Sequence, residues 1–487
     1  MDVNLNNRKK PDYRSLLCSA VLTLFSFLMI LGVALGTFGN FRHRSYTLAL
    51  MISAALTGCL FLCRRGLEKA CRRLEEIPAW KTALVLAGLC LLLNGAWVLL
   101  FRPEQAPDYQ TFYQAAVDLS EGQHPQNRAY IAMFPHILGY ASFLSVFLRL
   151  FGRSLMTAAA VNVALTTLSG LILFTLCLKW RGRAAACFGF AFWILCPSKT
   201  LYNTMTLSEP YYTFLILLWF LCVVSEQRTL VSRAFLGMMS GVLLRLVNTA
   251  RPIGVIPIIA LAVWLLFLSA PAERKENGFK WFVFLSGLLC VYLITGPIWE
   301  KYMTEQLEQR PASVPGYSVY VGFNPDTQGT YSDADMDLLQ SRYFGEYDED
   351  ADSAQKSMLE AARLRIAENK NRIPGIILHK LGVLLGHDEG GAYYSKESLS
   401  PRCYSVLCVL SNIWYYFISL LAVCGSLDFM RRRENSIWIV LPLFGVGLIL
   451  AQLLVEVAAR YHYALIPVLA VLAASGTDRL WKRGETE

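Results

Sequence analysis

The chain has 487 residues, 55% of them hydrophobic and 17% charged, with a formal net charge of +9. That balance describes a polytopic membrane protein. The excess of positive charge is not a nucleic-acid footprint, because the basic residues sit in short loops between apolar runs, so no nucleic-acid partner is expected.

Runs apolar enough to span a bilayer, or nearly so, occur at 15–36, 46–62, 82–101, 131–150, 155–178, 211–224, 234–247, 253–269, 279–297, 404–427, 437–455 and 463–474. Two shorter stretches, 184–197 and 376–386, are marginal. The first run is long and lacks a small-residue cleavage site, so it reads as a retained helix. It is joined to the second through Phe41-Arg42-His43-Arg44, and the pair carries no motif of interest.

The basic loops orient the chain. Arg8, Lys9, Lys10 and Arg14 precede the first run, and Arg64, Arg65, Lys69, Arg72 and Arg73 follow the second. Arg431, Arg432, Arg433, Lys482 and Arg483 mark the same side near the other end. Asp108 and Arg460 then face outward. Between Asp108 and Glu209 an even number of crossings is required, yet three apolar segments intervene, and Lys179 to Arg183 pulls against Arg149 and Arg153. The shortest segment, 184–197, is expected not to cross.

From 108 to 119 an amphipathic helix is expected at the membrane interface, with Tyr109, Phe112 and Tyr113 on its buried side. Residues 299–402 turn polar and acidic and contain none of the 13 cysteines, which excludes a disulfide framework there. Within that region 376–386 is expected to dip into the outer leaflet without crossing. The resulting organisation is a tail with two accessory helices (1–80), a membrane core (81–298) with its first outer loop at 102–133, an extracytoplasmic region (299–402), and C-terminal spans (403–487).

Ionisable groups at membrane depth are costly and need a reason. Asp108, His136, Glu209, Arg251, Lys380, Glu456, Arg460 and His462 all fall at outward ends of runs. Asp108 is either a tunable base or the cap of the helix that follows it. Glu209 stands before Pro210 and also reads as a cap or a reactive carboxylate. Arg251, before Pro252, suits a phosphate or simply snorkels. Glu456 and Arg460 are spaced i, i+4 and could pair on one helix. The histidines lack metal spacing and there is no glycine-rich phosphate loop. No cofactor is assigned, and a divalent cation is left open.

Four short motifs taken together carry a resemblance. They are Pro107-Asp108-Tyr109 in the first outer loop, Phe134-Pro135-His136 leading into the next apolar run, Glu209 about a hundred residues on, and Glu456…Arg460-Tyr461-His462…Pro467. In order and sidedness the chain resembles the C-type integral-membrane glycosyltransferases, among them bacterial relatives of protein O-mannosyltransferases and the lipid A aminoarabinose transferase family. The resemblance runs from about residue 82 to the C-terminus. It implies an all-α polytopic membrane protein of about 12 transmembrane helices with a small outer-face domain. It implies a sugar donor on polyprenyl phosphate, a glycan, lipid or protein acceptor, and a site on the extracytoplasmic face of a bacterial cell membrane.

By the same resemblance Asp108 would be the base and Glu209 its helper, with Arg251, Lys380 and Arg460 for the donor phosphate. Tyr109, Tyr113, His136, Glu456 and His462 would complete the substrate site. The chain departs from the protein mannosyltransferases in lacking a large inserted lumenal module and in having Asp-Tyr instead of Asp-Glu in the first loop, which leaves the acceptor open. A lipid-linked sugar flippase, a transporter and a non-catalytic envelope assembly protein are the competing classes. Transporters gather charge near mid-span on broken, repeated helices, whereas here the charges line one face and no repeat is seen.

Overall fold

The computed structural model describes residues 13–39, 44–226, 229–344, 350–432 and 436–478. Arg8 to Lys10, Phe41 to His43, Arg433, Lys482 and Arg483, which contribute to the charge count above, lie outside the described residues. Every regular element among the described residues is helical: α1 (Tyr13–Phe38), α2 (Arg44–Leu62), α3 (Arg64–Glu76), α4 (Ala79–Leu100), α5 (Pro107–Glu121), α6 (Arg128–Met133), α7 (His136–Phe151), α8 (Leu155–Arg181), α9 (Arg183–Ile194), α10 (Pro197–Tyr202), α11 (Glu209–Val224), α12 (Leu230–Ala250), α13 (Val255–Val263, extended by a π turn to Leu268) and α14 (Pro271–Leu307). Beyond these come α15 (Gly316–Gly322), α16 (Asp333–Phe344), α17 (Ala351–Glu368), α18 (Ile373–Leu385), α19 (Gly390–Tyr393), α20 (Pro401–Arg432), α21 (Val440–Gln452) and α22 (Ile466–Asp478).

Seven of these helices are long and apolar enough to cross a membrane alone. The others depend on neighbours: α9 has 12 residues and α22 has 13, and both are mostly buried in the bundle. The chain is an all-α polytopic membrane protein.

Residue contacts decide which segments traverse the bundle, and they reverse one expectation. The ring of His136, at the start of α7, lies 6.4 Å from Phe112 of α5. Just past the end of α7, Arg153 reaches Ser120 and Glu121 at the far end of α5, the latter at 3.0 Å. The two helices therefore run side by side in the same sense, and α7 does not cross. Instead it lies over the ends of α11 and α12, with Phe143 stacked on Tyr211 at 3.9 Å. Gly139 rests on the Thr249 carbonyl, where a Cβ would stand 2.1 Å from that oxygen, so only glycine permits the approach.

The 184–197 segment, by contrast, traverses. At its start Arg183 donates to the carbonyls of Leu74, Glu75 and Ile77 where α3 meets α4. At its far side, on α10, Lys199 and Asn203 meet Asn94 toward the other end of α4. With α9 and α10 counted as one passage, the described residues make twelve: α1, α2, α4, α8, α9–α10, α11, α12, α13, α14, α20, α21 and α22. The conflict around Lys179 to Arg183 disappears, because these basic residues now share a face with α3. Below, the face bearing Asp108 is called the site face.

Helix α14 has 37 residues, about 55 Å at 1.5 Å per residue, so it overruns a bilayer and carries the chain into α15–α17. Helix α18 returns and stops within the site-face half, where Leu385 and Gly386 press against Gly32 and Gly36 of α1. The N-terminal pair is better integrated than its lack of motifs suggests: α1 packs on α18, α20 and α21, and α2 packs along α20.

Candidate functional site

Asp108 is the second residue of α5. Ala106 is the cap, without a side-chain hydrogen bond, so Asp108 does not cap the helix. It is 53% exposed in its side chain and its Oδ2 accepts from Nη2 of Arg460 at 3.0 Å. Nη1 of Arg460 donates to the Tyr109 hydroxyl at 3.1 Å. The guanidinium sits among the rings of Tyr109, Tyr394 and Tyr461, and its Nε is buried without a partner among the described residues.

The expected i, i+4 pair of Glu456 and Arg460 does not form. Residues 455–458 are not helical: the Glu456 amide donates to Ser318 O (2.7 Å) and the Val457 amide to Gly329 O (3.1 Å). A tight 3-10 turn, Ala459–Leu465, begins only afterwards and turns Arg460 toward α5. Arg460 is thus spent on Asp108, 352 positions away.

Glu209 opens α11 and, like Asp108, is not its cap; that place belongs to Ser208. Its delivery depends on a buried frame. Asn162 donates to Met205 O at 2.8 Å, and the Gln105 amide both donates to Thr204 O (3.0 Å) and accepts from Thr206 N (2.8 Å). Since Gln105 lies three residues before Asp108, one side chain ties the two acidic loops together. Arg251 closes α12 and lies over the ring of Tyr461 at 4.2 Å instead of snorkelling away.

Among the described residues the side chains of Glu209, Arg251 and Glu456 form no hydrogen bond or ion pair. They act on one another and on Arg460 through space, and His136 lies within the field of both arginines. Burial pushes the Glu456 carboxyl above its usual range; Asp108 adds to the rise, while Arg460, Arg251 and Lys380 oppose it. Tyr130 and Tyr331 also feel Asp108 and Glu456, and burial raises both phenols.

Other expected members are occupied elsewhere. Lys380 is fully buried, donates to Gly322 O and Leu453 O at 2.9 Å each, and so fastens α18 to the ends of α15 and α21. His462 is buried between the Leu384 carbonyl (2.7 Å) and Asp388 (3.2 Å) and stacks on Tyr415. Tyr113 packs at the edge of the core on the next turn of α5. Two further tyrosines that could have stacked on a sugar are also taken up by protein: Tyr320 lies under Arg365, and Tyr463 faces Trp193 and Tyr202 in the core. Sequence reasoning missed Gln105, Tyr130 and Tyr394. Tyr394 had no local signal, whereas Gln105 stood two residues before the first-loop motif. Among the described residues no group of three or more His, Cys, Asp or Glu side chains could hold a metal ion.

The result is three carboxylates and two guanidiniums, drawn from four separate loops, with tyrosine rings against the guanidiniums on one face. Carboxylates there can accept a proton, guanidiniums can hold a phosphate, and tyrosine rings can stack on a sugar. No family model matches the chain, and no curated protein matches it. Among solved structures, the crystal structure of ArnT from Cupriavidus metallidurans bound to undecaprenyl phosphate is similar over 82% of this chain and 77% of that one, at 11% identity. Its TM-score of 0.30 is too low to support a conclusion about fold or function.

Proposed function

We propose that the chain is a membrane glycosyltransferase that moves a sugar from a polyprenyl-phosphate donor to an acceptor hydroxyl on the extracytoplasmic face, with inversion at the anomeric carbon. The observation that carries this reading is the meeting of Asp108, Glu209 and Glu456 with Arg251 and Arg460 at one membrane boundary. The orientation rests on the basic residues of α3, Lys179, Arg181, Arg183, Arg431 and Arg432, all on the opposite face.

A sugar hydroxyl is a poor nucleophile near neutral pH, so a carboxylate must take its proton as it attacks. Asp108, the most exposed of the three, is the base; Glu209 orients acceptor or base from the buried side. The departing lipid phosphate gains charge, and fixed guanidiniums in a low-dielectric recess stabilise that charge. Arg251, with no hydrogen bond or ion pair among the described residues, holds the phosphate first, and Arg460 joins it from Asp108. The polyprenyl tail lies in the bilayer between helices.

The test is a transfer assay: purified protein, polyprenyl-phosphate sugars, and candidate glycan, lipid and protein acceptors. Transfer by the wild type and its loss in Asp108→Asn are expected. Transport of a lipid-linked sugar without transfer would replace this reading with the flippase.

A further inference from the structure

Transfer leaves a proton to be placed. The donor is a phosphodiester with one negative charge, and the product is a phosphomonoester whose second ionisation lies near pH 6. The acceptor O–H bond breaks and its proton goes to Asp108. The acceptor oxygen bonds to the anomeric carbon, and the bond from that carbon to the phosphate oxygen breaks, its electron pair leaving with the phosphate. Asp108 must be ionised again to serve the next acceptor and to restore its ion pair with Arg460 at 3.0 Å, so the proton needs another place.

We propose that Glu456 is the proton store of this reaction, taking the acceptor proton on from Asp108 and neutralising the extra charge of the lipid-phosphate product. The geometry supports it in three ways. The backbone at 456–457 is fixed by the bonds to Ser318 and Gly329, so the side chain is delivered from a held strand-like stretch. Its carboxylate has no hydrogen bond among the described residues and is free to gain a donor O–H.

Third, the site already carries an excess of negative charge before the product forms. The groups facing Glu456 are Asp108 on α5, Tyr130 on α6, Arg251 after α12, Tyr317 on α15, Tyr331 beyond it, Lys380 on α18, and Arg460 and Tyr461 on its own stretch. With Glu209 beside Arg251, three carboxylates stand against two guanidiniums and the frame-bound Lys380, and the donor adds one negative charge of its own. A second negative charge on phosphate deepens that excess unless one carboxylate is protonated. Burial already favours the neutral form at Glu456.

The inference rests on the proposed lipid-phosphate site, and the experiment separates the two. Binding of undecaprenyl phosphate in detergent is measured by calorimetry between pH 6 and 8, in buffers of different ionisation enthalpy, for wild type and Glu456→Gln. Uptake of one proton at Glu456 weakens wild-type binding by about tenfold per pH unit where that proton is taken up. The variant should bind with a flatter dependence, and because ionisation of the lipid phosphate affects both proteins alike, the difference isolates Glu456.

Equal slopes in the two proteins overturn the proton store while leaving the site intact. No binding by the wild type at any pH overturns the site and the store together. Should Glu456→Gln fail to fold, infrared difference spectra of the wild type decide: a protonated-carboxyl band appearing on lipid-phosphate binding supports the store, and its absence overturns it.

Discussion

Two sets of polar side chains lie near the site face, and they differ in how they are satisfied. In the first, Lys199 Nζ and Asn203 Nδ2 both reach Asn94 Oδ1, Thr166 closes on Asn203, and Trp193 lies beneath Lys199. Lys380 is likewise held by two carbonyls and His462 by a carbonyl and Asp388. In the second, Asp108 pairs only with Arg460, and Glu209, Arg251 and Glu456 have their charges near one another and no hydrogen bond among the described residues. Hydrogen bonds to protein satisfy the first set within the fold, while the second leaves its charged atoms open to solvent at a membrane boundary. The first set therefore reads as architecture, and the second as a surface shaped for something that is not protein.

Breaking the second set should cost activity far more than stability. Asp108→Asn preserves shape and removes basicity, so transfer should fall by roughly 10²–10⁴-fold, with insertion and thermal unfolding unchanged. Near-normal turnover would remove Asp108 from the chemistry. Arg251→Ala should reduce donor-dependent turnover on the order of 10²-fold, with a smaller effect on acceptor dependence. Lysine there should rescue only partly, since it lacks the fork that grips phosphate. A loss expressed equally in donor and acceptor dependence would point to misfolding instead.

The first set should behave in the opposite way. Lys380→Met strands two carbonyls and should cost about 2–4 kcal/mol of stability, seen as a lower unfolding temperature, while turnover per folded molecule stays within a few-fold. A donor-specific loss of the Arg251 kind would instead return Lys380 to the phosphate site.

The smallest expected effect concerns α7. A cysteine at Phe151, in a cysteine-free background, should react with an impermeant thiol reagent from the same side as one at Ser341, with transfer unaffected. Reaction from the opposite side would restore α7 as a crossing helix and undo the twelve-passage count.

These contrasts also mark what the sequence could convey. Long spans such as α8 and α20 are legible because 27 and 32 residues exceed any bilayer. The exchange of roles between α7 and α9 was not, since 16 apolar residues outrank 12 in any hydropathy reading. It is decided by Arg153 on Glu121 and Arg183 on carbonyls more than a hundred positions away. Asp108, Glu209, Arg251 and Arg460 were legible as charges at the ends of runs. Their partners were not: spacing offered Glu456 to Arg460, and the extended backbone at 455–458 withdrew it. His462 and Lys380 carried the same signal as the others, and only their hydrogen bonds assign them to the frame.

The central claim is that the carboxylates and guanidiniums gathered on the site face form a site for sugar transfer from lipid phosphate. Its most direct measurement is the release of polyprenyl phosphate from a polyprenyl-phosphate sugar by the purified protein with an acceptor present, compared among wild type, Asp108→Asn, Arg251→Ala and Lys380→Met. The account predicts acceptor-dependent release by the wild type, its loss in the first two variants, and its retention per folded molecule in the third. Release that survives Asp108→Asn and Arg251→Ala, or a wild type that releases nothing from any such donor, would contradict it.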